Sequence, residues 1–140
     1  RGSRTTTTSA TLILVVDDEV YVRDLLRRVL ERRGHEVAVA HDGAEALAMI
    51  DDETYGLVLT DVVMPGIDGF ELLRRVKASH PDVRVIVLTG YARKQSISDF
   101  LLYGADEYLS KTLETKTLLD SVERISVERP LHSAPRRQPS

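Results

Sequence analysis

Four segments of this 140-residue chain place reactive side chains directly behind short apolar runs: Asp17-Asp18-Glu19 after Leu12–Val16, Asp61 after Leu57–Thr60, Thr89-Gly90 after Arg84–Leu88, and Ser110-Lys111 after Glu107–Leu109. If the runs are neighbouring strands, about 4.8 Å apart, carboxylates at the ends of the first and third lie within roughly 5 Å of one another. Two like charges at that distance repel by roughly 3 kcal/mol at an effective dielectric of about 20. Shared protons, which raise carboxylate pKa values, or a divalent cation would relieve the crowding. The donors are all oxygens, with no His or Cys among them, a set that suits hard Mg²⁺ better than Zn²⁺. Mg²⁺ typically takes one or two carboxylates and leaves room for waters and phosphate oxygens. Lys111 then offers a positive charge, and Thr89 a hydroxyl donor, to phosphoryl oxygens. The first turn lacks the glycines and bare amides of a phosphate cradle, so no nucleotide or flavin is expected there. Taken singly, Asp17 and Asp18 read as a helix cap with a solvated neighbour, and Asp61 as a turn cap. Their joint placement with Thr89 and Lys111 is what favours chemistry.

For these groups to meet, the elements between them must form a parallel sheet covered by helices. β-branched or aliphatic runs alternate five times with stretches of helical period, the pattern of an α/β fold. The expected strands are Leu12–Val16, Glu36–Ala40, Leu57–Thr60, Arg84–Leu88 and Glu107–Leu109, three of them almost wholly apolar, as strands buried on both faces should be. Helical stripes are expected at Val22/Leu25/Leu26/Val29, Ala44/Leu47/Ala48, Leu72/Leu73/Val76, Ile97/Phe100/Leu101 and Leu118/Val122/Ile125. Asp42 and Asp68 stand where the second and third helices need N-caps. Gly34 follows Arg32-Arg33 as a C-terminal cap, and His80-Pro81 closes the third helix. Right-handed crossovers then give a doubly wound sheet whose site lies beyond the carboxyl ends of the strands.

Composition limits the function classes. With 42% hydrophobic and 29% charged residues the chain fits one domain with a buried core, expected over residues 12–126. It has no cysteine, which rules out disulfide scaffolds and thiol chemistry and makes a cytoplasmic setting the simplest. No apolar run approaches the ~20 residues that span a bilayer, so no membrane partner is expected. The formal charge is −3 overall, and residues 12–126 hold 14 basic against 21 acidic residues, net −7, which is not the footprint of a nucleic-acid binder. Residues 1–11, Thr/Ser-rich and opening Arg-Gly-Ser without Met, read as a disordered N-terminus or tag scar; residues 127–140, with three prolines, read as a disordered tail or linker stub. His35, His41, His80 and His132 share no metal spacing and are expected at the surface or in loops, and Glu31-Arg32-Arg33 and Arg74-Arg75 on solvated helix faces.

Leu14-Val15-Val16-Asp17-Asp18-Glu19, Leu59-Thr60-Asp61-Val62-Val63-Met64-Pro65-Gly66-Ile67-Asp68-Gly69, Val87-Leu88-Thr89-Gly90-Tyr91 and Gly104-Ala105-Asp106-Glu107-Tyr108-Leu109-Ser110-Lys111 occur in order at the right strand ends. Together they resemble the receiver domain of two-component response regulators, over roughly Leu12 to Ser126. The resemblance implies a single flavodoxin-like, CheY-like sheet of five parallel strands in order 2-1-3-4-5 with five helices. It implies that Asp61 is the phospho-acceptor, attacking phosphorus as a carboxylate nucleophile. It also implies Mg²⁺ held by Asp18, Asp61 and the backbone carbonyl of Val63, with Asp17 acting through water. Thr89 and Lys111 would hold the phosphoryl oxygens. Tyr108 resembles the aromatic switch that turns inward as Thr89 moves, although ordinary packing at a strand end explains it equally well.

One departure stands out: the family's lysine is usually followed by proline, and here Thr112 follows Lys111, so a trans bond is expected. Val63, two residues past the acceptor, cannot position an attacking water, and Tyr91 is bulky enough to screen an acyl phosphate, so a long-lived phosphorylated state is expected. The implied partners are a histidine kinase or a histidine phosphotransfer domain, and a downstream protein met through helix 4, strand 5 and helix 5, where Leu102 and Tyr103 add apolar surface. Self-pairing through that face stays open. So does the choice between a free-standing regulator and a receiver from a longer protein such as a hybrid histidine kinase. The domain would assist only its own phosphorylation, not act as an enzyme on external substrate. Two other classes remain. An aspartyl-phosphate phosphatase needs an acid two residues past the nucleophile, where Val63 stands, and a pseudo-receiver interaction domain would not need the full Asp17, Asp18, Asp61, Thr89 and Lys111 set.

Overall fold

A computed structural model of the chain describes residues 12–90, 99–111 and 115–128. Five strands, β1 (Leu12–Val16), β2 (Glu36–Ala40), β3 (Leu57–Asp61), β4 (Arg84–Thr89) and β5 (Glu107–Ser110), form one parallel sheet in the order β2-β1-β3-β4-β5. The helices are α1 (Val20–Arg32), α2 (Gly43–Asp52), α3 (Gly69–Ser79), α4, described over residues 99–102, and α5 (Thr115–Glu128). The doubly wound order implied by the resemblance is the observed one. β3, β4 and β5 each run one residue beyond the expected end, so Asp61, Thr89 and Ser110 are themselves the last strand residues. α5 continues to Glu128, two residues past the expected boundary; the first residue unable to continue a helix is Pro130. Among the described residues no helix is long and apolar enough to cross a membrane.

β3 and β4 are buried along their whole length because helices cover both sheet faces. Alternation along each strand then feeds two separate interiors. Leu14, Val16, Val58, Val85 and Val87 pack with Ala46 and Ile50 of α2, Leu72, Leu73 and Val76 of α3, and Phe100 of α4. Ile13, Val15, Leu57, Leu59 and Ile86 pack with Leu26 and Leu30 of α1 and Leu118, Leu119, Val122 and Ile125 of α5. Each such aliphatic side chain contributes about 1.5–3 kcal/mol relative to exposure.

The caps stand where the sequence places them. The Asp42 and Asp68 carboxylates accept from the N–H groups of Glu45 and Glu71 at 2.8 and 2.9 Å, and His80 is the C-cap of α3. Gly34, with φ +93°, takes the left-handed turn that ends α1. Three stripes differ from expectation. In α1 Leu25 is 42% exposed and Leu30 is buried instead. In α2 Ala44 and Ala48 are exposed while Gly43, Ala46 and Ile50 face inward, because burying one isoleucine outweighs the choice between alanines. In α4 Phe100 is buried and Leu101 faces out; Ile97 lies outside the described residues.

His35 lies in the connection between α1 and β2, a loop position as expected, but it is buried at 7% exposure and is not a surface residue. Its N–H bonds back to the Leu30 carbonyl, which draws the residue under the last turn of α1. Neither ring nitrogen has a hydrogen-bond partner among the described residues, and burial pushes its pKa down, with nearby Glu123 opposing and Arg33 assisting. His41 is exposed and His80 half-buried beside Asp51; His132 lies outside the described residues. The Arg74-Arg75 pair is solvated as expected and ion-paired to Glu71.

The amino-terminal edge of the sheet carries a network the sequence reading lacks. Asp106 accepts from the Val85 N–H at 2.8 Å and from Lys77 Nζ and Arg84 Nη1 at 3.3 Å each, and Lys77 also donates to the Val83 carbonyl at 2.7 Å. These bonds tie the start of β5 to β4 and α3.

Candidate functional site

The site lies at the opposite edge, where the parallel register brings the carboxyl ends of β1, β3, β4 and β5 side by side. Asp17 continues β1, its N–H bonded to the Ala40 carbonyl at 3.2 Å; Asp61 ends β3 opposite Leu88, and Thr89 ends β4 opposite Ser110. Asp17, Asp61 and Thr89 are 1%, 8% and 3% exposed, whereas Asp18 is open to solvent. Carboxylate oxygens of Asp17, Asp18 and Asp61 all lie within 4.8 Å of one another. The expected convergence is therefore present.

Local bonds fix each group. Asp17 Oδ1 accepts the Glu19 N–H at 2.9 Å, and the Asp17 carbonyl accepts from Arg23 Nη1 at 2.8 Å, which braces the turn into α1. Asp61 Oδ1 accepts the Val62 N–H at 2.8 Å. The Lys111 N–H donates to the Thr89 carbonyl at 2.6 Å, and its ammonium sits 2.8 Å from Asp17 Oδ2, 3.3 Å from Asp61 Oδ2 and 3.6 Å from Glu19 Oε1.

This ammonium is a third answer to carboxylate crowding, beside protons and a cation. Burial still pushes the Asp61 carboxyl above its usual range; the Lys111 charge opposes that shift and the Asp17 charge adds to it. For Lys111, burial works against the charged form, but the hydrogen bond and charge of Asp17, with Asp61, carry its pKa upward, so it stays cationic. The donor set fits a hard divalent cation: two buried carboxylates, one exposed one, and oxygen ligands only.

Tyr108 lies opposite Val87 in the ladder, its half-buried ring 5.3 Å from that of Phe100 at 45°, and burial raises its phenol pKa. That is the packing position expected of it, and it leaves the switch reading where the sequence left it. Val63 is 76% exposed, Leu102 80% and Tyr103 48%, the last two on the α4 side of β5. Tyr91 and Thr112, with the bond between Lys111 and Thr112, lie outside the described residues. Sequence reasoning missed Arg23, Gly43 and Gly69. A Cβ on Gly69 would lie 2.8 Å from Val62 Cα and closer still to the Asp61 carbonyl oxygen, so the start of α3 packs directly on the backbone of Asp61. The one sequence signal for it is the glycine directly behind the Asp68 cap.

Order, register and an acidic pocket bridged by a lysine at the carboxyl edge define a flavodoxin-like α/β domain with a candidate cation site at its switch edge. Residues 13–123 match the response regulator receiver domain, and the chain belongs to that family, the receiver domains of two-component systems. It is 41% identical over 110 residues to response regulator MprA of Mycobacterium avium, covering 76% of this chain and 47% of the relative. MprA of Mycobacterium tuberculosis shows the same 41% identity, with 46% of its length covered. The chain thus spans about half the length of the curated relatives it matches. A CheY-like receiver domain protein from Methanospirillum hungatei superposes with a TM-score of 0.82 at 34% identity, over 86% of this chain and 96% of that one. The response regulator TrrA from Thermotoga maritima, solved in complex with Mg²⁺-BeF, superposes at 0.76 with 36% identity, over 82% and 98% of the two chains.

Proposed function

We propose that this domain takes a phosphoryl group from the phosphohistidine of a histidine kinase or phosphotransfer domain onto Asp61, in the cytoplasm, and thereby shifts the face formed by α4, β5 and α5 toward a state that a downstream protein recognises. The observation that carries the reading is the Lys111 ammonium standing between the buried carboxylates of Asp17 and Asp61. An Asp61 oxygen forms the new bond to phosphorus as the nitrogen–phosphorus bond of the donor breaks; the electron pair leaves with the imidazole, which takes a proton from solvent. Lys111 exchanges part of its hold on the Asp61 carboxylate for a phosphoryl oxygen, and the Thr89 hydroxyl donates to another. Asp18, Asp61 and the Val63 carbonyl, with Asp17 through water, would hold Mg²⁺, whose charge offsets that of the incoming group.

The α4–β5–α5 face, with Leu102, Tyr103 and Tyr108, is the proposed output surface, and pairing of two copies there is one form the output can take. The chain acts only on its own phosphorylation. The phosphatase alternative is disfavoured by Val63, exposed hydrocarbon where a proton donor would be needed, and a pseudo-receiver would not need the full site. The test is incubation with a small acyl phosphate and Mg²⁺, read by intact mass. One added phosphate is expected, and none in Asp61→Asn; labelling of the variant at the parent level would overturn the assignment, and turnover of a chromogenic phosphate ester would favour the phosphatase.

A further inference from the structure

The loop between β3 and α3, residues 62–68, carries two groups of the proposed site: the Val62 N–H that holds Asp61 Oδ1 at 2.8 Å, and the Val63 carbonyl. Its ends are tied down, since the Val62 carbonyl accepts the Gly69 N–H at 2.8 Å and Asp68 caps α3. Its flank is set by a different element. A Cβ on Gly43, the first residue of α2, would lie 2.5 Å from the Ile67 carbonyl oxygen and 2.8 and 2.9 Å from Ile67 Cβ and Cγ2. Gly43 is buried and its backbone is not left-handed, so glycine is required here for space and not for conformation. Helices disfavour glycine, which makes its presence in the first turn informative. Nor can α2 simply withdraw, because Asp42 caps it at 2.8 Å and Ala46 and Ile50 are buried in the interior beneath it.

We infer that Gly43 is a positioning residue for the phospho-acceptor site: by letting α2 rest on Ile67 it holds the 62–68 loop, and with it the Val62 N–H and the Val63 carbonyl, against Asp61. The inference rests on the proposed function. A side chain at position 43 must push against Ile67, and a loop fixed at both ends passes that displacement to Val62 and Val63.

The test compares Mg²⁺ affinity, by titration calorimetry of the unphosphorylated protein, with the amide resonances of Val62 and Val63. Gly43→Ala is expected to shift both resonances and weaken Mg²⁺ binding by about tenfold or more, the usual effect of disturbing groups that orient metal ligands. Ile67→Ala removes the Cγ2 facing Gly43 and should weaken binding in the same direction, so the test does not depend on one variant folding. Ile50→Val, buried in the same helix away from the loop, lowers stability and should leave Mg²⁺ affinity unchanged. Affinity in Gly43→Ala and Ile67→Ala equal to that of the parent, or lost equally in Ile50→Val, overturns the inference alone. Failure of the parent to bind Mg²⁺ or take up phosphate overturns the proposed function, and this inference with it.

Discussion

Replacing the proposed nucleophile should make the fold more stable. At an effective dielectric of about 20, Asp61 and Asp17 oxygens within 4.8 Å repel by about 3.5 kcal/mol, while Lys111 at 3.3 Å attracts Asp61 by about 5 kcal/mol. Solvent screens exposed Asp18, which adds a smaller repulsion. The small net attraction is outweighed by the cost of burying a carboxylate, several kcal/mol per ion, which is why burial leads the causes that raise the Asp61 pKa. Asp61→Asn keeps an acceptor for the Val62 N–H and leaves Lys111 its 2.8 Å bond to Asp17. We expect a gain of about 1–3 kcal/mol at pH 7 without divalent cation, which at a slope of about 2 kcal/mol per molar appears as a rise of roughly 0.5–1.5 M in the urea midpoint. The sign with pH follows from linkage. A carboxyl with a raised folded pKa binds its proton more tightly in the folded state, so its ionisation costs stability as pH rises from 3.8 through the folded value. The advantage of asparagine is therefore full at neutral pH and fades once Asp61 is protonated in both states. Adding Mg²⁺ should narrow the gap by stabilising the parent more. An asparagine variant no more stable than the parent at pH 7 in chelator would refute the electrostatic account.

Because His35 is buried without a ring partner among the described residues and its pKa is lowered, the unfolded chain takes up a proton that the folded chain refuses. Stability should therefore fall as pH drops below about 6.5, by at most about 1.4 kcal/mol per unit, and His35→Phe should flatten that slope in urea titrations; unchanged slopes would contradict it. Asp106→Ala strips the counter-charge from Lys77 and Arg84 and the acceptor from the Val85 N–H, and should cost about 2–4 kcal/mol by thermal or urea denaturation; Asp106→Asn, which keeps the acceptor, should cost less. Val63→Gln places a group able to orient water two residues past Asp61 and should shorten the phosphate lifetime by roughly tenfold or more in a radiolabel chase; loss from the parent itself within seconds would defeat the reading of a long-lived state.

Strand position was legible because β1, β3 and β4 are built on aliphatic runs, and the candidate site residues were legible because they stand directly behind them. The single residue missing from the ends of β3, β4 and β5 is polar in each case, and nothing apolar marks where a ladder stops. α2 was misphased for want of contrast: Ala44, Ala46 and Ala48 carry equal signal, and only Ile50 selects the face. Leu25 and Leu101 read as buried because hydrophobic character does not reveal how wide a stripe the sheet covers. His35 shows the converse, a polar type drawn inside by a backbone bond to Leu30. The Asp106 network joins residues 29 and 22 positions apart in sequence, and the approach of Gly43 to Ile67 joins the start of α2 to the loop between β3 and α3; neither leaves a local periodic trace.

Successive residues of a strand report to different compartments: Leu14 belongs with α2, α3 and α4, its neighbour Val15 with α1 and α5. The hydrogen-bonded backbone is a partition, and a void opened on one side has no side chain through which to relax into the other. Truncations drawn one from each compartment should sum independently, whereas two from the same compartment should interfere. Substitutions in the interior beneath α2, α3 and α4 thereby need no compensating change beneath α1 and α5, so the two interiors can diversify on separate clocks.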